Sequence, residues 1–270
     1  MKSGFALLEH SWRRYRTLLL MMAGVIAGFQ VLFCIAAVTL QESDTFGPLL
    51  SLIPAPIREA LGPGLITMVS FRGLACLGFF HIAVLGTLIG LMIAVATEPA
   101  AEIETGFVDL VLSHPIPRRR VIFRTMIMLA GSTLAVLSAM GAGSLIGILW
   151  FAPEGMVRST LNLVLALLAN LALLMLAWGA IALALASVAR RRGIPIAVAG
   201  LLVLASYLVD YMARFWEPAK RAAWLCPFHY YQPVELIGGA GLPARNLLIL
   251  SAIAAGGFGI AVMVFSRRDL

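Results

Sequence analysis

The chain has 270 residues, of which 61% are hydrophobic and only 12% charged, with a net charge of +7 and a pI near 9.9. A soluble domain of this size carries about 25% charged residues, so the composition excludes a soluble globular enzyme. It points to a polytopic membrane protein whose core is a helix bundle inside the bilayer. The basic residues gather at the ends of apolar runs, which makes the charge topological and not a nucleic-acid surface. Cys34, Cys76 and Cys226 are far apart and form no CxxC or disulfide framework. The first apolar run is too long for a cleavable signal peptide and has no clean small-residue cleavage site behind it.

Residues 1–16 set Lys2, Arg13, Arg14 and Arg16 beside Phe5, Leu7, Leu8, Trp12 and Tyr15. They read as an amphipathic helix lying in the membrane interface, or as a basic flank that orients the first span. Span one is expected over 17–40. Residues 41–72 are polar and proline-rich and include LLSLIPAPIREALG (49–62), a short surface helix. Span two is expected over 73–97, with His81 as its one ionisable residue. After the polar stretch 98–124, spans three and four are expected over 121–150 and 160–189, each longer than the roughly 20 residues needed to cross. Arg190, Arg191 and Arg192 separate span four from a shorter span five, 194–209. An aromatic and proline-rich segment, 210–245, leads to span six, 246–266.

Six spans put both termini on one side. That side, with the 98–124 and 190–192 connections, holds thirteen Lys and Arg, and the other holds seven. Acidic residues divide six to seven. The positive-inside rule then places both termini and 98–124 in the cytoplasm, with 41–72 and 210–245 outside.

The stretch 98–124 carries the most pattern. At helical period Ile103, Phe107, Leu110, Val111 and His114 share one face, and Glu102, Gly106, Asp109 and Ser113 the other. Thr97 can cap such a helix, Pro99 suits its first turn, and Glu98, Glu102 and Glu104 favour its positive end. Pro115 and Pro117 stop it. The spacing predicts an amphipathic helix over 99–114, held between two spans at the basic side, with an apolar face free to dock on a partner. Arg118, Arg119 and Arg120 follow; they set topology and can pair with acidic groups on that partner.

Several chemistries are excluded or weak. The only lysines are Lys2 and Lys220, and neither follows a glycine, so there is no P-loop. Neither GxSxG nor HExxH occurs. Coupled carriers keep ionisable groups near the midplane; only His81 qualifies, and a neutral histidine bonded within the bundle explains it equally simply. Gly24/Gly28, Gly86/Gly90 and Gly143/Gly147 are GxxxG pairs suited to close helix contact. Trp216, Trp224, Phe228, Tyr230 and Tyr231 suit either an interfacial belt of half-helices or an outer gate. The pair Cys226 and His229 is too sparse for a metal site.

The run E-x-E-T-G-F-x-x-L-V-L-S-H-P-I-P-R-R-R (102–120) resembles the signature of ABC-2 type ABC transporter permeases. Glu104, Gly106, Leu112, Ser113, Pro115 and Arg118 fall on that pattern, and 49–62, CPFHYYQP (226–233) and the closing SRRDL are similar to the family's outer loops and tail. Phe107 stands where the family usually has threonine, and Arg124 where it usually has lysine. The resemblance implies an all-α, six-span exporter subunit of the cell membrane, with an N-terminal interface helix and short outer helices before the last span. It implies pairing with a second permease subunit, an identical copy or a paralogue. It further implies that ATP and magnesium bind on a separate ABC-type ATP-binding subunit, with no cofactor in this chain. Residues 99–114 would be the coupling helix, docking through Glu102, Ile103, Glu104, Gly106, Phe107, Leu110, Val111, Ser113, Pro115 and Arg118. The rival readings are an ion-coupled carrier, sensitive at His81 and independent of any ATPase, and a non-transporting scaffold or sensor subunit.

Overall fold

The computed structural model of the chain describes residues 2–42, 70–107, 117–152 and 157–267. Every element among them is helical, as the composition requires. The first helix, α1 (Lys2–Glu42), is continuous, and its membrane-length apolar part is Ser11–Leu40. The separate interfacial helix expected over 1–16 is therefore the opening of span one. Neither proline nor glycine falls between Gly4 and Gly24 to end it.

Span two is not the unbroken helix expected over 73–97. It consists of α2 (Phe71–Ala75), a 3-10 turn (Leu77–Phe79) and α3 (Ile82–Ala96), and it bends by 43° into α4 (Glu98–Glu104). His81 precedes α3 with extended backbone, φ −67° and ψ 121°. A carbonyl freed in lipid costs several kcal/mol unless it finds a donor. Here the Gln30 amide of α1 donates to the Ala75 carbonyl at 2.6 Å, and the Tyr231 hydroxyl donates to the Phe79 carbonyl. Gly78 lets Gln30 come this close; a Cβ there would collide with its amide.

Among the remaining helices, the four of membrane length begin and end within a few residues of the apolar runs, and two short ones lie within 210–245. They are α5 (Arg119–Phe151), α6 (Val157–Val188), α7 (Gly193–Met212), α8 (Glu217–Ala222), α9 (Pro233–Ile237) and α10 (Ala244–Arg267), with 3-10 turns at Ala223–Leu225 and Pro227–Tyr230. At about 1.5 Å per residue, α5 and α6 are each near 50 Å, longer than the roughly 30 Å hydrocarbon core. Five described helices can cross a membrane by length and composition, and the bent pair α3 and α4 together make a sixth.

Glycine spacing sets how the helices pack. Trp12 lies on Gly131, Ala27 on Gly143 and Cys34 on Gly147, so α1 and α5 run parallel. A Cβ on Gly143 would sit 2.5 Å from the Ala27 carbonyl oxygen, which makes Gly143/Gly147 a true helix contact. Among the described residues, Gly24/Gly28 and Gly86/Gly90 meet nothing within 4 Å. The centre is α6, where Leu167, Leu171, Leu174, Met175 and Leu183 are fully buried. Gly257 of α10 packs on Ala180, and Leu129 and Met92 close over Gly179. Most of α7 faces outward; Pro195, Ala199 and Ser206 are its buried residues.

Candidate functional site

The basic ends of the helices converge. Arg118 and Arg119, at the start of α5, line a cavity with Met263 and Ser266 of α10. Arg14 of α1 lines another, of about 170 Å³, with Ala101, Glu102, Thr105 and Phe107. Arg192, which precedes α7, reaches the bend between α3 and α4. The element at the middle of this end is α4.

The helix α4 is short for a local reason. Pro99 sits in its first turn, and Thr105 caps its end through backbone bonds to Ala101 and Ile103. Gly106 then takes φ +72°, a left-handed conformation that glycine adopts without strain. The continuous helix expected over 99–114 therefore ends at Glu104. Leu110, Val111, Ser113 and Pro115 lie outside the described residues.

The polar face expected for Glu102 is corrected as well. Glu102 is only 5% exposed, and its Oε1 accepts a 2.7 Å hydrogen bond from the Arg124 guanidinium of α5, which is also 5% exposed. Burial of an ion pair needs this geometry, because an unpaired charge there costs several kcal/mol. Glu98 is buried one turn earlier, and the Ser11 hydroxyl of α1 donates to its Oε1 at 3.2 Å. Ile103 is half-buried against the core of the same protomer, so it is not freely available to a partner. Glu104 is exposed, and its carboxylate accepts the Arg192 backbone N–H at 2.8 Å. The Arg192 guanidinium donates to the Ala94 carbonyl at 3.0 Å and to the Thr97 hydroxyl at 3.5 Å. Tyr15 adds a bond to the same Ala94 carbonyl at 3.3 Å. The elbow between span two and α4 is thus fastened to α1, to α5 and to the connection before α7.

Of the expected docking residues, Glu102, Ile103, Glu104, Gly106 and Phe107 belong to this elbow, and Arg118 stands half-buried at the start of α5. From sequence alone Ser11 has no role, and Glu98 and Arg192 have only a helix-end and a topological one. The available signal was weak: Glu98 stands first in an acidic cluster, and Arg192 is the last of three arginines with nothing to distinguish it.

The opposite end holds the aromatic segment, and its residues divide. Trp216 and Trp224 are exposed, at 54% and 61%. Phe228, Tyr230 and Tyr231 are buried. The Tyr230 hydroxyl donates to the Trp224 carbonyl at 2.6 Å, which fixes the turn. Burial pushes the Tyr231 phenol well above its ordinary value, so it remains a donor to Phe79. The Nδ1 of His229 lies 3.6 Å from Asp210 Oδ1. His81 stands at the break in span two with its buried Nδ1 unpartnered among the described residues, 6.1 Å from the Phe33 ring by centroid.

A search of curated proteins finds no match to the chain. The family model described as ABC-2 family transporter protein matches residues 20–270, from within the first span to the end of the last. The chain belongs to the ABC-2 family of transporter proteins.

Proposed function

We propose that this permease exports its cargo from the cell, driven by ATP hydrolysed on a separate subunit that docks at the basic end. As an ABC-2 permease it is a non-enzymatic, multi-pass membrane component, and the family works with ABC ATP-binding subunits, typically as dimers. The basic end is the cytoplasmic one by the positive-inside rule, with both termini there in the inner membrane. The partner docks on the connection from Thr105 to Arg118, with Phe107, Leu110 and Val111 as its apolar contacts. Arg118, Arg119 and Arg120 pair with acidic groups beside them.

One observation carries this reading: the buried 2.7 Å pair of Glu102 and Arg124. It joins the helices on the two sides of the docking connection. A buried pair contributes little net stability compared with apolar packing, and its best-attested use is to fix register. Here it makes the ends of spans two and three move as one body. Closure of the ATP-binding subunits then turns the elbow, and the spans carry the turn to the far end, a two-state element biased from another chain. A second permease subunit packs on the small-residue face of α3, which exposes Ala83, Gly86, Thr87 and Gly90, and on the apolar face of α7.

Spin labels at Ile82 and Leu248, both exposed, test this in the reconstituted complex. Their distance is expected to change on trapping with an ATP analogue, and to stay fixed in the double variant Glu102→Leu, Arg124→Leu while ATP hydrolysis continues. An unchanged distance in the wild type sinks the proposal. The Nδ1 of His81, unpartnered among the described residues, favours the competing ion-coupled carrier, which predicts cargo movement without ATP and its loss in His81→Phe.

A further inference from the structure

Where α7 ends, a pocket of about 160 Å³ opens between three elements. Phe80 lines it from the break in span two, Tyr207, Asp210, Tyr211 and Arg214 from the end of α7, and Tyr231 from the aromatic segment. The transmission described above makes no use of it.

Its chemistry points to a cation. The Asp210 side chain is 20% exposed, and among the described residues it accepts no hydrogen bond. The nearest group that can carry positive charge is His229, and 3.6 Å from Nδ1 to Oδ1 is beyond hydrogen-bond range. A carboxylate withdrawn from water without a donor gains from any cation that reaches it. The walls add to this. The Tyr207 and Tyr211 rings are near parallel, 15° apart, with centroids at 6.5 Å, and Phe228 stands edge-on to Tyr207 at 5.6 Å. Aromatic faces attract ammonium groups, more so where water is thinned out.

Size limits what enters. A cavity of about 150 Å³ holds a benzene-sized group, so this pocket takes a head group and not a whole drug-sized molecule. An apolar tail has a place outside it, since Leu204, Leu208 and Met212 of α7 are exposed.

We propose that this pocket binds the ammonium head of an amphiphile, with Asp210 as counter-ion, the tyrosines as walls and the tail along α7. The binding stands whatever drives transport; only its place on an export path rests on the reading above.

The probe is radiolabelled dodecyltrimethylammonium, added to the purified complex of the full chain in nanodiscs. Saturable binding is expected, weakened at least tenfold in Asp210→Asn and several-fold in Tyr211→Leu. Dodecyl sulfate and dodecyl maltoside are expected to compete poorly. Arg214→Gln, which removes a positive charge from the pocket lining, is expected to bind the probe more tightly than the wild type. Should Asp210→Asn fail to fold, the competitor order on the wild type and the Tyr211→Leu result decide the matter. Wild-type binding in Asp210→Asn, or equal competition by the maltoside, overturns the proposal. Trapping with an ATP analogue separates two sources of the same chemistry: a cargo site loses affinity for the probe, and a site for a resident lipid keeps it.

Discussion

At the scale of single residues, the pair of Glu102 and Arg124 has the largest consequences. The two are 22 positions apart and meet through one 2.7 Å contact, while the Arg124 Nε has no partner among the described residues. Removing either side strands a buried charge. Glu102→Ala and Arg124→Ala are each expected to cost about 3–5 kcal/mol, whereas Glu102→Leu with Arg124→Leu is expected to recover most of that loss. Thermal unfolding in detergent measures all three; a double variant as unstable as the single ones contradicts the assignment. Gly143 is the second sensitive position. A side chain there meets the Ala27 backbone, and Gly143→Val is expected to cost about 1–3 kcal/mol through overpacking. Arg124 was legible in the sequence as the one charge inside span three. Its partner was not, because the 3.6-residue period counted through Gly106 puts Glu102 on an outer face. Period counting does not register a helix that ends at Glu104.

Among the elements, span two differs most from its sequence reading. Its apolar run gives no reason to expect a break, and nothing local forces one, since no proline lies within it. The break persists because partners distant in sequence satisfy it: Gln30 answers Ala75, and Tyr231 answers Phe79. Such bonds lie beyond any local pattern, although a lone amide in an otherwise apolar span was a hint at Gln30. Gln30→Leu and Tyr231→Phe each leave a buried carbonyl unmade, at about 1–3 kcal/mol. Hydrogen exchange at the amides of residues 79–82 is expected to accelerate in both variants. Unchanged protection would show that the break holds itself. The longer spans were legible to within a few residues, because their apolar runs end on arginines and on proline- or glycine-containing turns. The N-terminal helix was not divided where the charge pattern divides it. A run of good helix formers does not stop at the edge of the lipid.

For the molecule as a whole, two GxxxG pairs meet no other helix among the described residues. Gly86 and Gly90 face outward on α3 with nothing within 4 Å. Gly86→Leu is therefore expected to leave the protomer folded but to break the permease dimer, as native mass spectrometry of the complex reads it; Gly143→Leu is expected to lose the protomer itself. An intact dimer in Gly86→Leu moves the interface elsewhere. As proposed above, a separate ATP-binding subunit drives this bundle from its basic end. Affinity purification of the tagged chain from gently solubilised membranes, with ATP hydrolysis assayed on the eluate, tests it most directly. A P-loop ATPase is expected to co-purify and hydrolyse ATP, and to be lost from a still monodisperse permease carrying Phe107→Asp. A folded permease that elutes with no ATPase, or one that keeps its ATPase in Phe107→Asp, contradicts the claim.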